Sequence, residues 1–450
     1  IRALVGRGTP GDLERAFEIA EGARARSLLG DLREIGIDPA SELPLALRAR
    51  REAGLRRYRL LCTAIEEASD AASEERLQGE LGRIGEELAE IARQARRETG
   101  FPSAVLEPAT YARAAQFVST SGTSLLLYYL GERGSFLFAL GPRGLLVRPL
   151  PSRGLLEGRA ETFLAAAKRS GLVPQARQSF PRLAKALAET LLPRDVRSLL
   201  GSGRAVIVPD GALEEIPFEA LATEGAEGDP SAPMLSYAPS CSVLLELDRR
   251  AKARDGGEEG AVLLAYNASG APELPYDEAE VAAVAGSFDR STVVRLEGAT
   301  CHKDALLERV GRYRVLHLAL HGESRDGLVG LRFSSEEGEE SILWPHEVYG
   351  LGLRADLVVL SGCSTGRGRL RRGAGVLGLA HAFVLAGASR VVVTLWSNDD
   401  EAAARTLETF YAQVRAGRGF GEALARGRSG ASPSQREPFL RAPFVLIGPP

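Results

Sequence analysis

The sequence predicts an α/β fold: a mostly parallel sheet flanked by helices, preceded by an N-terminal helical hairpin and a small α+β subdomain. Three observations predict it. After Gly201, seven short apolar runs alternate with helical stretches, the pattern of a sheet covered on both faces. Between Ser124 and Pro149 three β-rich runs are separated by glycine-containing turns. Ahead of these, apolar residues recur at helical spacing.

Taken in order, Asp12 to Ile35 places Leu13, Phe17, Ala20, Leu28 and Leu32 on one helical stripe, and Gly36 with Pro39 ends it. Two more helices follow. The second carries Leu77, Leu81, Ile84, Leu88 and Ile91 at alternating steps of four and three, a seam that closes a hairpin near Gly100. The runs LLLYYLG, SFLFALG and LLVRPLP read as an antiparallel meander, and helices fill Leu155 to Leu200. The strands of the main sheet are AVIVP at Ala205, AVLLAY at Ala261, TVVRL at Thr292, VLHLAL at Val315, LVVL at Leu357, RVVVTLW at Arg390 and FVLIG at Phe444. Polar, glycine-rich stretches at 222–233 and 252–260 read as surface loops. The expected units are 1–100, helical; 101–200, the small α+β subdomain; and 201–450, the main α/β domain.

Composition narrows the function. The chain has 450 residues, enough for two or three domains, and a net charge of −3, so it lacks the basic field of a nucleic-acid binder. No run of eighteen apolar residues is present to span a bilayer. Cys62, Cys241, Cys301 and Cys363 show no paired spacing, which argues against a zinc site or a disulfide framework and fits a reducing, cytoplasmic compartment. Abundant arginine, alanine and glycine fit a GC-rich bacterial genome. Neither a cofactor nor a catalytic metal is expected.

The chemistry concentrates at two strand ends. VLHLAL ends in His321-Gly322, and LVVL ends in Ser361-Gly362-Cys363. In parallel strands of one sheet, an imidazole and a thiol would emerge together at the carboxyl edge, where open α/β sheets bind ligands. A thiolate attacks, a neighbouring imidazole takes its proton and returns it to the leaving amine. The N–H groups of Gly322 and Cys363 are the candidate oxyanion donors. Singly, Cys363 also reads as a small buried apolar residue and His321 as a satisfied histidine. His317, on the same strand face as His321, reads as core. A rival reading uses Cys363 to Arg369 as a C-x5-R phosphate-cradling loop, which gives His321 no task.

These motifs resemble those of the CHAT domain, a caspase-like peptidase module related to caspases, gingipains and separase. The matching pieces include VIVPDGALEEIPFEAL, YAPSCSVLL, ELPYDEAEV, VLHLALHGES, ADLVVLSGCSTG, GVLGLAHAFVLAGASRVVVTLW and FVLIG. The resemblance implies a caspase-like sheet, His321 as general acid/base, Cys363 as nucleophile, and a protein substrate. LSGC stands where LSAC is common, an exchange expected to be harmless; SNDD after Leu395-Trp396 replaces PVDD and bears on substrate choice. By the same resemblance Ser361, Trp396, Asp399 and Asp400 are candidates for the pocket before the cut, with arginine or lysine as the residue selected. One of the two aspartates reads equally well as a cap for the helix that follows. The loop carrying Arg367, Arg369, Arg371 and Arg372 reads as solvated or as a site of self-cleavage.

AFEIAEGARARSLLGDL resembles the last helix of a tetratricopeptide array, and a repeat domain ahead of Ile1 would account for a start that is not methionine. The expected activity is a cysteine endopeptidase gated by a helical repeat sensor or a regulatory partner. The alternative is an inactive CHAT scaffold.

Overall fold

A computed structural model describes residues 1–34, 44–67, 70–99, 108–170, 174–200, 203–222, 233–254, 262–266, 277–325, 328–333, 341–362, 376–396, 400–429 and 444–450. It is a mixed α/β structure with a large, mostly parallel sheet flanked by helices, as the apolar runs predict. Helices α1 (Arg2–Arg7), α2 (Pro10–Glu34), α3 (Leu45–Glu67), α4 (Ala71–Thr99) and α5 (Tyr111–Ser121) lead into the meander β1 (Thr123–Tyr129), β2 (Ser135–Gly141) and β3 (Gly144–Leu150). Next come α6 (Arg153–Ser170), α7 (Pro174–Leu191), α8 (Arg194–Leu200), β4 (Arg204–Val208), α9 (Phe218–Ala222), β5 (Met234–Tyr237), α10 (Cys241–Arg254), β6 (Val262–Tyr266), α11 (Asp277–Gly286), β7 (Val293–Glu297) and α12 (Lys303–Leu307). The site region holds β8 (Val315–Ala319), β9 (Gly322–Arg325), β10 (Leu328–Phe333), β11 (Ser341–Leu343), α13 (Pro345–Tyr349), β12 (Leu357–Leu360), α14 (Val376–Ala386) and β13 (Val391–Thr394). The chain closes with α15 (Asp400–Arg415), α16 (Phe420–Ser429) and β14 (Phe444–Ile447).

Among the described residues, eleven strands form one sheet in the order β3-β2-β1-β4-β5-β14-β13-β12-β8-β6-β7. The meander is antiparallel, but β1 pairs parallel to β4, so the meander and the strands after Gly201 share a single sheet. Strands β13, β12, β8, β6 and β7 run parallel to one another, whereas β14 runs antiparallel to β13 and parallel to β5. Alternation sorts the side chains onto two cores. Leu316, Leu318, Leu320, Val358 and Leu360 face one, shared with α14; Val315, Ala319, Leu357 and Val359 face the other, shared with α11, α15 and α16.

Two features went unread in the sequence. Strand β5 is only four residues long, and β9, β10 and β11 form a separate three-stranded antiparallel sheet immediately after His321.

The seam of α4 packs on α3 as its spacing predicts, with Leu81 and Ile84 beside Leu61 and flanked by Tyr58, Leu77 and Leu88. Helix α2 is sewn into the fold. Its Ala16, Phe17 and Ala20 pack on the meander, and its Leu28, Leu29 and Leu32 on the larger core. Fully buried Glu21 accepts from the Cys241 and Ser242 N–H groups at 3.1 and 2.9 Å, a carboxylate cap on the start of α10. Arg24, also buried, donates to Glu214 at 2.7 Å.

Candidate active site

Strand β8 ends at Ala319, buried Leu320 follows, and His321 emerges half-buried at the strand tip. Its carbonyl accepts from the Arg332 N–H at 2.9 Å, which fixes where the chain turns into β9. That bond also sets the ladder. In an antiparallel pair, bonded and non-bonded residues alternate. With Gly322 opposite Leu331 and Glu323 opposite Gly330, residues 321, 323 and 325 bond to β10, while the N–H groups of Gly322 and Ser324 turn away from it. The amide assigned to the oxyanion is therefore turned away from its neighbour strand.

Strand β12 lies beside β8 in parallel register, with Val359 opposite His317 and Leu360 opposite Leu318. The ladder continues past the strand, since the Ser361 N–H donates to the Leu318 carbonyl at 3.3 Å. Gly362 then presses on the β8 tip. A Cβ at this position would lie 2.5 Å from the Leu320 carbonyl oxygen and 2.8 Å from its carbonyl carbon and nitrogen. Only a residue without a side chain allows this approach. The glycine of LSGC is thus fitted to the packing at the β8 tip.

Cys363, the arginines at 367, 369, 371 and 372, and Asp399 lie outside the described residues. Of the pocket candidates, Ser361 is half-buried, and its Oγ is enclosed with no hydrogen-bond partner among the described residues. Trp396 is buried beside Leu395 in the core just past β13. Asp400 is the first residue of α15.

Behind the strand tip sits a hydrogen-bonded group that pattern reading left as ordinary core. His317 is fully buried; its Nε2 lies 2.8 Å from Glu280 Oε1 and its Nδ1 3.1 Å from the Tyr411 hydroxyl. Glu280 comes from α11 and Tyr411 from α15, so the group ties β8 to both helices on that face. Neither partner is near His317 in sequence, and no spacing signals the contact. A second buried group joins Arg428 to Glu219 at 3.1 Å and to the Phe444 carbonyl at 2.8 Å, with the Tyr237 hydroxyl also donating to Glu219.

Helix α14, which begins the described chain after the candidate nucleophile, carries buried His381 next to the Arg24–Glu214 pair. Burial holds the His381 pKa down at about 3, assisted by the Arg24 charge. Burial pushes the Glu214 carboxyl up to about 7, against the pull of Arg24. Among the described residues, no helix is long and apolar enough to cross a membrane.

Comparison with known proteins places this arrangement. The structure is similar to separase in the separase–securin complex of Saccharomyces cerevisiae, with a TM-score of 0.54 at 9% identity over 89% of this chain. This chain spans 40% of the length of that separase chain. A likeness is also found to the Arg-specific cysteine proteinase gingipain R, with a TM-score of 0.43 at 10% identity over 60% of this chain and 67% of that one. No curated protein matches the chain. The sequence pattern of the CHAT domain matches residues 181–449, more than half of the chain. The chain belongs to the CHAT domain family.

Proposed function

We propose that this chain is a cysteine endopeptidase in which Cys363 is the nucleophile and His321 the general acid/base. The observation that carries the reading is the parallel register of β8 and β12. The pairing ends with Leu360 opposite Leu318; His321 stands two residues past the end of β8, and in the sequence Cys363 follows the end of β12 by three. Two strands that end side by side at one edge of the sheet support an imidazole and a thiol meeting there. In this mechanism His321 takes the thiol proton, the thiolate attacks the scissile carbonyl, and the oxyanion is received by the N–H groups of Gly322 and Cys363. His321 then protonates the leaving amine. Water, deprotonated by the same imidazole, releases the acyl-enzyme.

The substrate in this reading is a protein partner with arginine or lysine before the cut. Ser361, Trp396, Asp399 and Asp400 remain the candidates for the selecting pocket, where the carboxylate of Asp399 or Asp400 would pair with the basic side chain. Residues 1–100 form the helical end of a repeat sensor, 101–200 the small subdomain, and 201–450 the peptidase. The setting of α2 supports gating through the N-terminal region, since its buried Glu21 and Arg24 reach α10 and the loop before α9.

The test is an iodoacetamide-sensitive cleavage of a peptide library by the wild-type chain, lost in both His321→Ala and Cys363→Ala. Cleavage that survives either substitution overturns the dyad. Hydrolysis of a phosphotyrosine analogue that survives His321→Ala would support the phosphate-cradling loop instead. A folded wild-type chain that cleaves nothing while binding a partner would support the scaffold.

A further inference from the structure

Strand β9 is the last strand of its three-stranded sheet, and it starts one residue after His321. Its inner side bonds to β10 through residues 321, 323 and 325, which leaves the N–H and C=O groups of Gly322 and Ser324 facing outward along an edge unpaired among the described residues. All three residues from Gly322 to Ser324 are half-buried. Two residues of strand span about 7 Å, the repeat at which an extended peptide presents its own main-chain groups to one side. A peptide laid parallel to β9, with its carbonyl oxygen held by the Gly322 N–H, therefore meets the outward groups of Ser324 two residues further on.

The sheet order decides which half of the peptide lies there. β12, which leads to Cys363, has β13 on one flank and β8 on the other. The candidates for the pocket before the cut, Trp396 and Asp400, follow β13. β9 follows β8, on the opposite flank. We propose that the free edge of β9 is the subsite for the residues after the cut, which bind by adding a strand to β9 through the main chain of Gly322 and Ser324. The inference rests on the peptidase reading and deepens it. The edge reads main chain and not side chains at Ser324, so it holds a polypeptide in extended form without demanding a particular residue there. The enzyme then favours substrates with an extended segment past the scissile bond over substrates with a small leaving group.

The test compares two probes that carry the residue selected by the peptide library before the cut. One is an internally quenched peptide that continues about four residues beyond it; the other ends at the cut in aminomethylcoumarin. Ser324→Pro removes one outward N–H and none of the bonds to β10, and proline is tolerated at such edge positions. In Ser324→Pro the ratio of kcat/KM for the extended probe to that for the coumarin probe falls about tenfold, equivalent to roughly 1.4 kcal/mol. Ser324→Ala keeps the wild-type ratio. In a second arm, N-methylation of the amides after the cut, one at a time, slows wild-type cleavage at alternate positions only; this arm alone decides should Ser324→Pro fail to fold. An unchanged ratio in folded Ser324→Pro, an equal loss with both probes, or an N-methyl series without alternation overturns the proposal. A wild-type chain that cleaves neither probe overturns the peptidase reading itself.

Discussion

Replacing Gly362 with alanine drives a methyl group into the backbone of β8. The new carbon would stand 2.5 Å from the Leu320 oxygen, about 0.9 Å short of the 3.4 Å at which ordinary contact begins, and the atoms it meets are main chain and not the end of a flexible side chain. Relief requires the tips of β8 and β12 to part by roughly 1 Å, and a misplacement of that size between reacting groups costs about a hundredfold in rate. Overpacking of this kind also costs about 1–3 kcal/mol of stability. Gly362→Ala is therefore expected to lower kcat/KM on a coumarin peptide by about two orders of magnitude, with a fall of a few degrees in Tm. Steady-state kinetics and thermal unfolding read both. A Gly362→Ala enzyme within about threefold of wild type and with the same Tm would refute the reasoning, and with it the close approach of the two strand tips.

Three further outcomes are expected. Arg428→Met leaves the Glu219 carboxylate buried without its cation and should cost about 3–5 kcal/mol in urea unfolding, while Arg428→Met combined with Glu219→Leu should cost less than the single change; an equal or greater loss in the double variant would contradict this. His381 stays neutral in the fold down to about pH 3, whereas the unfolded chain takes up that proton below about 6.5, so stability is full above 6.5 and falls as pH drops below it. His381→Leu should flatten the decline of Tm between pH 6.5 and 4. Glu214, raised to about 7, binds its proton more tightly in the fold and contributes in the opposite sense over the same window, so Glu214→Gln should steepen that decline; unchanged slopes would refute both assignments. Cys241 and Cys301 are buried, and burial raises both thiols, Cys301 to about 12, so neither should take up iodoacetamide in the native chain at neutral pH. Peptide mapping that finds label on either would show that iodoacetamide sensitivity does not report on Cys363 alone.

Much of the fold was legible because a sheet covered on both faces writes itself as continuous apolar runs. β4, β6, β7, β8, β12, β13 and β14 all fall where those runs stand, and the meander where glycine turns separate its strands. MLSY escaped because four residues with a serine among them make no run. GESR escaped because an edge strand needs no apolar residues, and it was β9 that turned out to border the candidate site. The positions of His321 and Gly362 at neighbouring strand tips could be anticipated from two motifs; their register could not, because pairing is settled by packing across the whole sheet. The group around His317 had no sequence signal, as Glu280 and Tyr411 lie 37 and 94 residues away. Glu21 and Arg24 did leave a trace: charged residues interrupt a stretch of α2 whose neighbours, Phe17, Ala20 and Leu28, are buried.

Those two charges have a practical consequence for where the protein can be cut. A fragment that began after α2 would strip the cap from α10, leave buried Glu214 without the Arg24 cation, and take the Glu21 partner from Ser242, which also accepts from the Ala109 N–H. Autonomy therefore starts well upstream of residue 181, where the family likeness sets in, and a shorter recombinant piece should be recovered as insoluble material however complete its catalytic motifs.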